Sequence, residues 1–317
     1  MTTHTSKNLK MGWLARWAVI VFAILMFATE RISAQSDPLY NQYLFNQSLI
    51  NPAYTGTYNV FNATLTSRAQ WAGIPGSPLT TTLNASTSAV RERVGLGMIV
   101  VNDRLGATTH SDIQGSFAYN ILFPNARLAF GMQAGIVSYR YDFSKLNLEV
   151  PDQTLTQAST PNFTRPTIGA GVFYRTDFYY VGISVPRMLN ITLEDGVSSS
   201  AIYTRQYYFS AGYVFSKFEN IKLRTTALIK MAENRQSYAD LSASILLAET
   251  LWVGVNTRSF KSFGVHGVFE VGNALRFGYY YELPTKGLFG STFGTHELMA
   301  SLDLEAFKWQ QTLRRYF

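Results

Sequence analysis

The chain has 317 residues, of which 47% are apolar, 15% aromatic and only 15% charged, with no cysteine and a formal net charge of +7. Globular domains carry about 25% charged residues, so this ring-rich, charge-poor composition disfavours intrinsic disorder. The lack of cysteine excludes a disulfide framework, a thiolate-held metal and a cysteine nucleophile.

Lys7 and Lys10 precede the apolar stretch Trp17 to Phe27, which Ile32-Ser33-Ala34 follows. A basic region, a short apolar core and a small residue predict a secretory signal peptide over residues 1–34, cut at Ala34|Gln35. The apolar core is well short of the ~20 residues of a membrane-spanning helix. Four of the 27 Lys/Arg and one of the 20 Asp/Glu lie in that leader, leaving 23 against 19, a net charge of +4. So weak a positive balance does not argue for a nucleic-acid partner. Residues 35–57, rich in aromatics and Asn, come before any strand pattern and are expected as a periplasmic N-terminal segment. This segment either packs into the mouth of the domain that follows or meets a partner.

From residue 58 the apolar residues alternate with period two, the signature of β-strands. In one stretch Leu128, Phe130, Met132, Ala134 and Ile136 form one face. In another, Leu275, Phe277, Tyr279 and Tyr281 oppose Arg276, Gly278, Tyr280 and Glu282. Fourteen such segments are predicted: 58–71, 77–88, 93–102, 106–121, 125–139, 166–175, 178–186, 203–216, 220–231, 237–248, 250–258, 262–271, 274–283 and 295–305. No linker interrupts them, so residues 58–305 form one all-β domain.

The polar faces carry Gly, Ser, Thr, Asn and Gln rather than the Lys/Glu coat of a soluble sandwich. Rings cluster near strand ends, among them Trp71, Tyr119, Tyr139, Tyr141, Tyr174, Tyr179, Tyr207, Tyr213 and Tyr281. Apolar outside, polar inside and aromatic at both rims describes an outer-membrane barrel, and a sheet in lipid must close on itself. The expected fold is therefore a closed antiparallel transmembrane β-barrel of about 14 strands. The even-numbered connections are short, whereas 140–165, 187–202 and 284–294 are long and odd-numbered. Outer-membrane barrels pair short periplasmic turns with longer outer loops, so both termini, including the tail 306–317, are expected in the periplasm.

The polar faces nominate a lumen network of Arg68, Gln70, Asp112, Arg224, Asp240, His266, Glu270, Arg276 and Glu297. Both charge signs interleave, which favours internal ion pairs over a selectivity ring. Beyond the leader only His110, His266 and His296 remain, without metal-ligand spacing. Nothing resembles a nucleophile–base–orienter set, so neither metal, cofactor nor catalytic residue is expected. The glycines of Gly95-Leu-Gly97 and Gly169-Ala-Gly171 read as relief of crowding in a curved sheet. On strand 237–248, Ala243 is expected to face lipid and Ser244 the lumen, so Ala243→Arg should harm assembly far more than Ser244→Arg.

In the N-terminal segment, Asn51-Pro52-Ala53-Tyr54 followed by Gly56 predicts an extended-then-turn backbone, because a residue before proline is held out of the helical region. These five residues form a candidate docking motif, within reach of Arg68 and Gln70 if the segment folds back. Together with Asp37-Pro38, Gln42-Tyr43, Phe45-Asn46, Arg68-x-Gln70-Trp71, Pro75-Gly76-Ser77-Pro78 and Gly294-Thr295-His296-Glu297, the motif resembles the PorP/SprF family of Bacteroidetes outer-membrane proteins. The resemblance spans nearly the whole chain beyond the leader. It implies a non-enzymatic outer-membrane barrel of type IX secretion and gliding, which supports export or surface anchoring of sorting-domain proteins such as adhesins. It also implies type IX subunits, a secreted surface protein and outer-membrane lipid as partners. A porin or transporter for small solutes or lipids is the alternative.

Overall fold

The computed structural model describes residues 42–142, 162–194, 199–216, 221–233, 236–285, 290–307 and 310. The expected leader, most of the 140–165 loop and most of the tail lie outside them. The described residues begin with three 3₁₀ turns, Gln42–Leu44, Gln47–Leu49 and Pro52–Tyr54. Seven strands follow: β1 (Phe61–Ala69), β2 (Leu79–Ala89), β3 (Val94–Leu105), β4 (Thr108–Phe123), β5 (Ala126–Tyr141), β6 (Asn162–Arg175) and β7 (Tyr179–Val185). A small hairpin, β8 (Ile191–Glu194) and β9 (Ser199–Tyr203), stands apart from the main sheet. Then come β10 (Gln206–Phe215), β11 (Ile221–Ala232), β12 (Tyr238–Leu247), β13 (Leu251–Arg258), β14 (Ser262–Val271), β15 (Leu275–Pro284) and β16 (Thr295–Leu304).

Fourteen of these strands pair antiparallel in a closed ring, each with its neighbour in sequence and β7 with β10 across the hairpin. The ring closes between β1 and β16, where Asn62 stands opposite Asp303 and Arg68 opposite Glu297. Closure leaves no open ladder along the wall. Each of the fourteen lies within a few residues of its sequence-predicted segment; the hairpin β8–β9, which falls in the expected loop 187–202 except for Tyr203, was not foreseen.

Alternation sets the two faces of the wall. On β4, His110, Asp112, Gln114, Ser116 and Asn120 are buried, whereas Ile113, Phe117, Tyr119 and Ile121 are exposed. On β14, Ser262, His266 and Glu270 are buried between exposed Phe263, Val265 and Phe269. A soluble protein hides such rings; here most inward wall positions are polar and these rings face out, as in a wall surrounded by acyl chains. The wall is uneven. The strands β3 to β6 have 12 to 16 residues, while β12 to β16 have 8 to 10.

One rim is formed by the turns 90–93, 124–125, 176–178, 248–250 and 272–274; we call it the short-turn end. β1 begins there and β16 ends there. At the other rim, the loop end, β5 ends and β6 begins, β7 ends and β10 begins, and β15 ends and β16 begins.

Candidate functional site

The bore is filled by the chain's own N-terminal segment. Near the loop end, Tyr43, Leu44 and Ile50 pack with Leu228 and against Tyr208. At the short-turn end, Arg127 Nη1 and Arg175 Nη2 each donate to the Thr57 carbonyl at 3.2 Å. Residues 43–57 therefore run down the inside of the barrel before the chain turns into β1. The segment expected in the periplasm has its described part within the bore.

Local sequence explains the path. Asn51 is extended (φ −140°, ψ 111°), as the following proline requires. Its Oδ1 accepts from Ala53 N at 3.0 Å and caps the turn Pro52–Tyr54. Its Nδ2 donates to the Val172 carbonyl on β6 at 3.0 Å. Tyr54 meets Phe173 edge-on, with centroids 5.4 Å apart. Gly56 adopts φ +63° and allows the reversal toward β1.

The wall supplies further bonds. Gln47 Nε2 donates to Tyr180 OH at 2.8 Å, Ser184 Oγ to the Ile50 carbonyl at 2.6 Å, and Thr55 Oγ1 to Ser116 Oγ at 3.0 Å. Asn84 Nδ2 donates to Ser48 Oγ. The anchors thus come from β2, β4, β5, β6 and β7. Arg68 and Gln70, expected as anchors, instead bond each other at 3.3 Å, and Arg68 faces Glu297 at 3.5 Å.

Inward glycines make room for the segment. A Cβ on Gly95 would collide with the Thr55 carbonyl, one on Gly131 with Ala53 N, and one on Gly171 with Asn51 Oδ1. Gly169 does the same for the Pro186 carbonyl of the loop after β7. Gly95, Gly169 and Gly171, expected to relieve crowding in a curved sheet, relieve it against another stretch of chain that passes at close range.

The remaining candidates line the rest of the bore. Arg224 lies between the Phe45 and Trp252 rings, at 4.3 and 4.4 Å from their centroids. Asp240 receives Arg258 Nε and Nη2, each at 2.9 Å, and Arg258 also faces Glu282 at 3.8 Å. His266 Nε2 shares a hydrogen bond with Ser244 Oγ at 2.8 Å, and its ring meets Phe45 edge-on. Glu270 accepts from Trp252 Nε1 at 3.2 Å. Arg276 pairs with Asp303 at 3.2 Å. Asp112 pairs with Arg187, whose guanidinium covers the Tyr203 ring of β9, tying the loop to the wall. The structure thus spreads the nine candidates around the filler in several groups, some with more than two members, such as Arg68 with Gln70 and Glu297 and Asp240 with Arg258 and Glu282, rather than gathering them at one centre. Among the described residues, no group of three His, Asp or Glu is placed to hold a metal.

Sequence reasoning missed Arg187, Arg258, Gln47, Tyr180, Ser184 and the glycine contacts. Inward glycines on β3, β5 and β6 were the available signal.

A closed barrel with a ring-covered exterior and a polar, occupied interior defines a β-barrel membrane protein. Residues 32–302 match the type IX secretion system membrane protein family PorP/SprF, and the chain belongs to that family. No curated protein matches the sequence. Among solved structures, the Acinetobacter baumannii outer membrane protein Omp33 is similar at 11% identity and TM-score 0.47, over 79% of this chain and 100% of its own. The monoaromatic hydrocarbon channel CymD is similar at 12% identity and TM-score 0.47, over 86% of this chain and 94% of its own.

Proposed function

We propose that this barrel sits in the outer membrane and serves type IX secretion as a closed scaffold, supporting export or surface anchoring of sorting-domain proteins such as adhesins. The observation that carries this reading is the occupied bore: residues 43–57 fill it, with glycines of the wall fitted to their backbone. A porin needs a water-filled path through its bore. A filled barrel instead offers rims and loops to protein partners, here type IX subunits and a secreted surface protein.

In this reading the short-turn end faces the periplasm and the loop end the outside. A tag inserted near Ser159 is then labelled on intact cells, and one after Phe317 is not. The docking role falls to Asn51, Pro52, Ala53, Tyr54 and Gly56, whose packing couples the wall to whatever engages the segment. A strain lacking the protein should lose surface display of sorting-domain proteins and keep its small-solute permeability. Normal display with lost solute uptake would favour a transporter and overturn this proposal.

A further inference from the structure

The outward face of the tall wall changes character in level rows across β3 to β6. Met98, Gly115, Ala134 and Ile168 share one row, and Val100, Ile113, Ile136 and Pro166 the next toward the loop end. Then comes a polar row, Asn102, Ser111, Ser138 and Thr164, in which Asn102 Nδ2 donates to Ser111 Oγ at 2.9 Å. The last row is Arg104, Thr109, Arg140 and Asn162, with both arginines exposed. Apolar, polar and cationic levels follow one another as hydrocarbon, interface and headgroup do at a membrane surface.

Below the two arginines the wall is hollow. Gly115, Ala134 and Ala170 leave a groove of about 610 Å³ beside Phe117, Met132 and Ile168. The groove lies about 20 Å along the strands from the arginine row, at ~3.4 Å per residue. The arginines stand two strands apart, roughly 10 Å at ordinary strand spacing. The opposite wall has a groove of similar size, about 590 Å³, around Ala243, Val255 and Val265. No arginine faces outward among the described residues of β12 to β15.

We infer that Arg104, Arg140 and the Gly115 groove form a binding site for a phosphate-bearing lipid of the loop-end leaflet. The two guanidiniums take the phosphate, for which their planar donor forks are suited. One acyl chain lies down the wall, past Ile113 and Ile136, into the groove. The occupant is a lipid rather than a protein because anion-binding groups at headgroup level and an apolar groove within the leaflet sit on one line along the strands. This site deepens the outer-membrane reading and rests on it.

The test uses the full-length protein in detergent, with native mass spectrometry of retained dioleoylphosphatidylglycerol against dioleoylphosphatidylcholine. Wild type should retain the anionic lipid roughly thirtyfold better, as two membrane-surface arginines imply. Arg104→Gln with Arg140→Gln should erase that preference. Gly115→Leu should fill the groove and lower retention of the anionic lipid; a Cβ there meets nothing closer than the Ala134 carbonyl at 3.9 Å, so the wall tolerates it. Ala243→Leu, in the opposite groove, should leave retention unchanged. Heat-dependent gel migration checks that each variant is a folded barrel. Equal retention of the two lipids by wild type, or no loss in either arginine or groove variant, overturns the site. A protein that fails to enter lipid vesicles at all contradicts the membrane reading itself, a separate outcome.

Discussion

Ala243 and Ser244 are neighbours on β12, yet one is exposed on the outer face and the other is buried against His266, with Ser244 Oγ 2.8 Å from the ring nitrogen. The same contrast holds around the whole barrel. Away from the polar rows near the rim, outward residues need only be apolar and fit between neighbours, because lipid adapts to them. Inward residues must fit a second stretch of backbone and pair with particular partners. Specific information is therefore concentrated inside, where a small change meets a fixed neighbour.

That contrast is broken most severely from within. Replacing Arg258 by Leu removes the cation nearest to Asp240 and Glu282 and leaves them the more distant Arg68. Stripping one partner from a buried pair costs about 3–5 kcal/mol, so the guanidinium midpoint of the refolded barrel should fall steeply. A wild-type midpoint would show that the pair is solvated. Ala243→Arg places a charge toward the acyl chains and should cost about 2–4 kcal/mol at mid-membrane, read in the same titration. Gly131→Val drives a side chain into Ala53 N; overpacking of this kind costs about 1–3 kcal/mol. Its sharper signature is exposure of Tyr54 and its neighbours to limited proteolysis of the N-terminal segment. Val253→Leu, outward on β13, should shift stability by no more than about 0.5 kcal/mol. A large loss there would mean the outer face is fitted as closely as the inner one.

Period-two alternation revealed fourteen strands because lipid outside and polar packing inside impose opposite demands on adjacent residues. The hairpin β8–β9 escaped because its strands have only 4 and 5 residues, too few for a pattern to stand out from a loop. The inward or outward facing of Asp112, Asp240, His266 and Glu270 follows from parity alone. Their partners do not: Arg187 comes from a loop, and Arg258 meets Asp240 through a register that no single strand reveals. The course of residues 43–57 through the bore is a long-range fact of the same kind. The filled bore also changes one expectation. Ser244→Arg has no open lumen to enter, so it should disturb assembly as Ala243→Arg does, by displacing Phe45 and His266 rather than by meeting lipid.

Single-channel conductance in planar bilayers tests the occupied bore most directly. The purified wild-type barrel should insert without opening a steady ion path, whereas a variant lacking residues 42–57, or Gly131→Val, should conduct. Steady conductance through the wild type, unchanged when the segment is removed, would contradict the account.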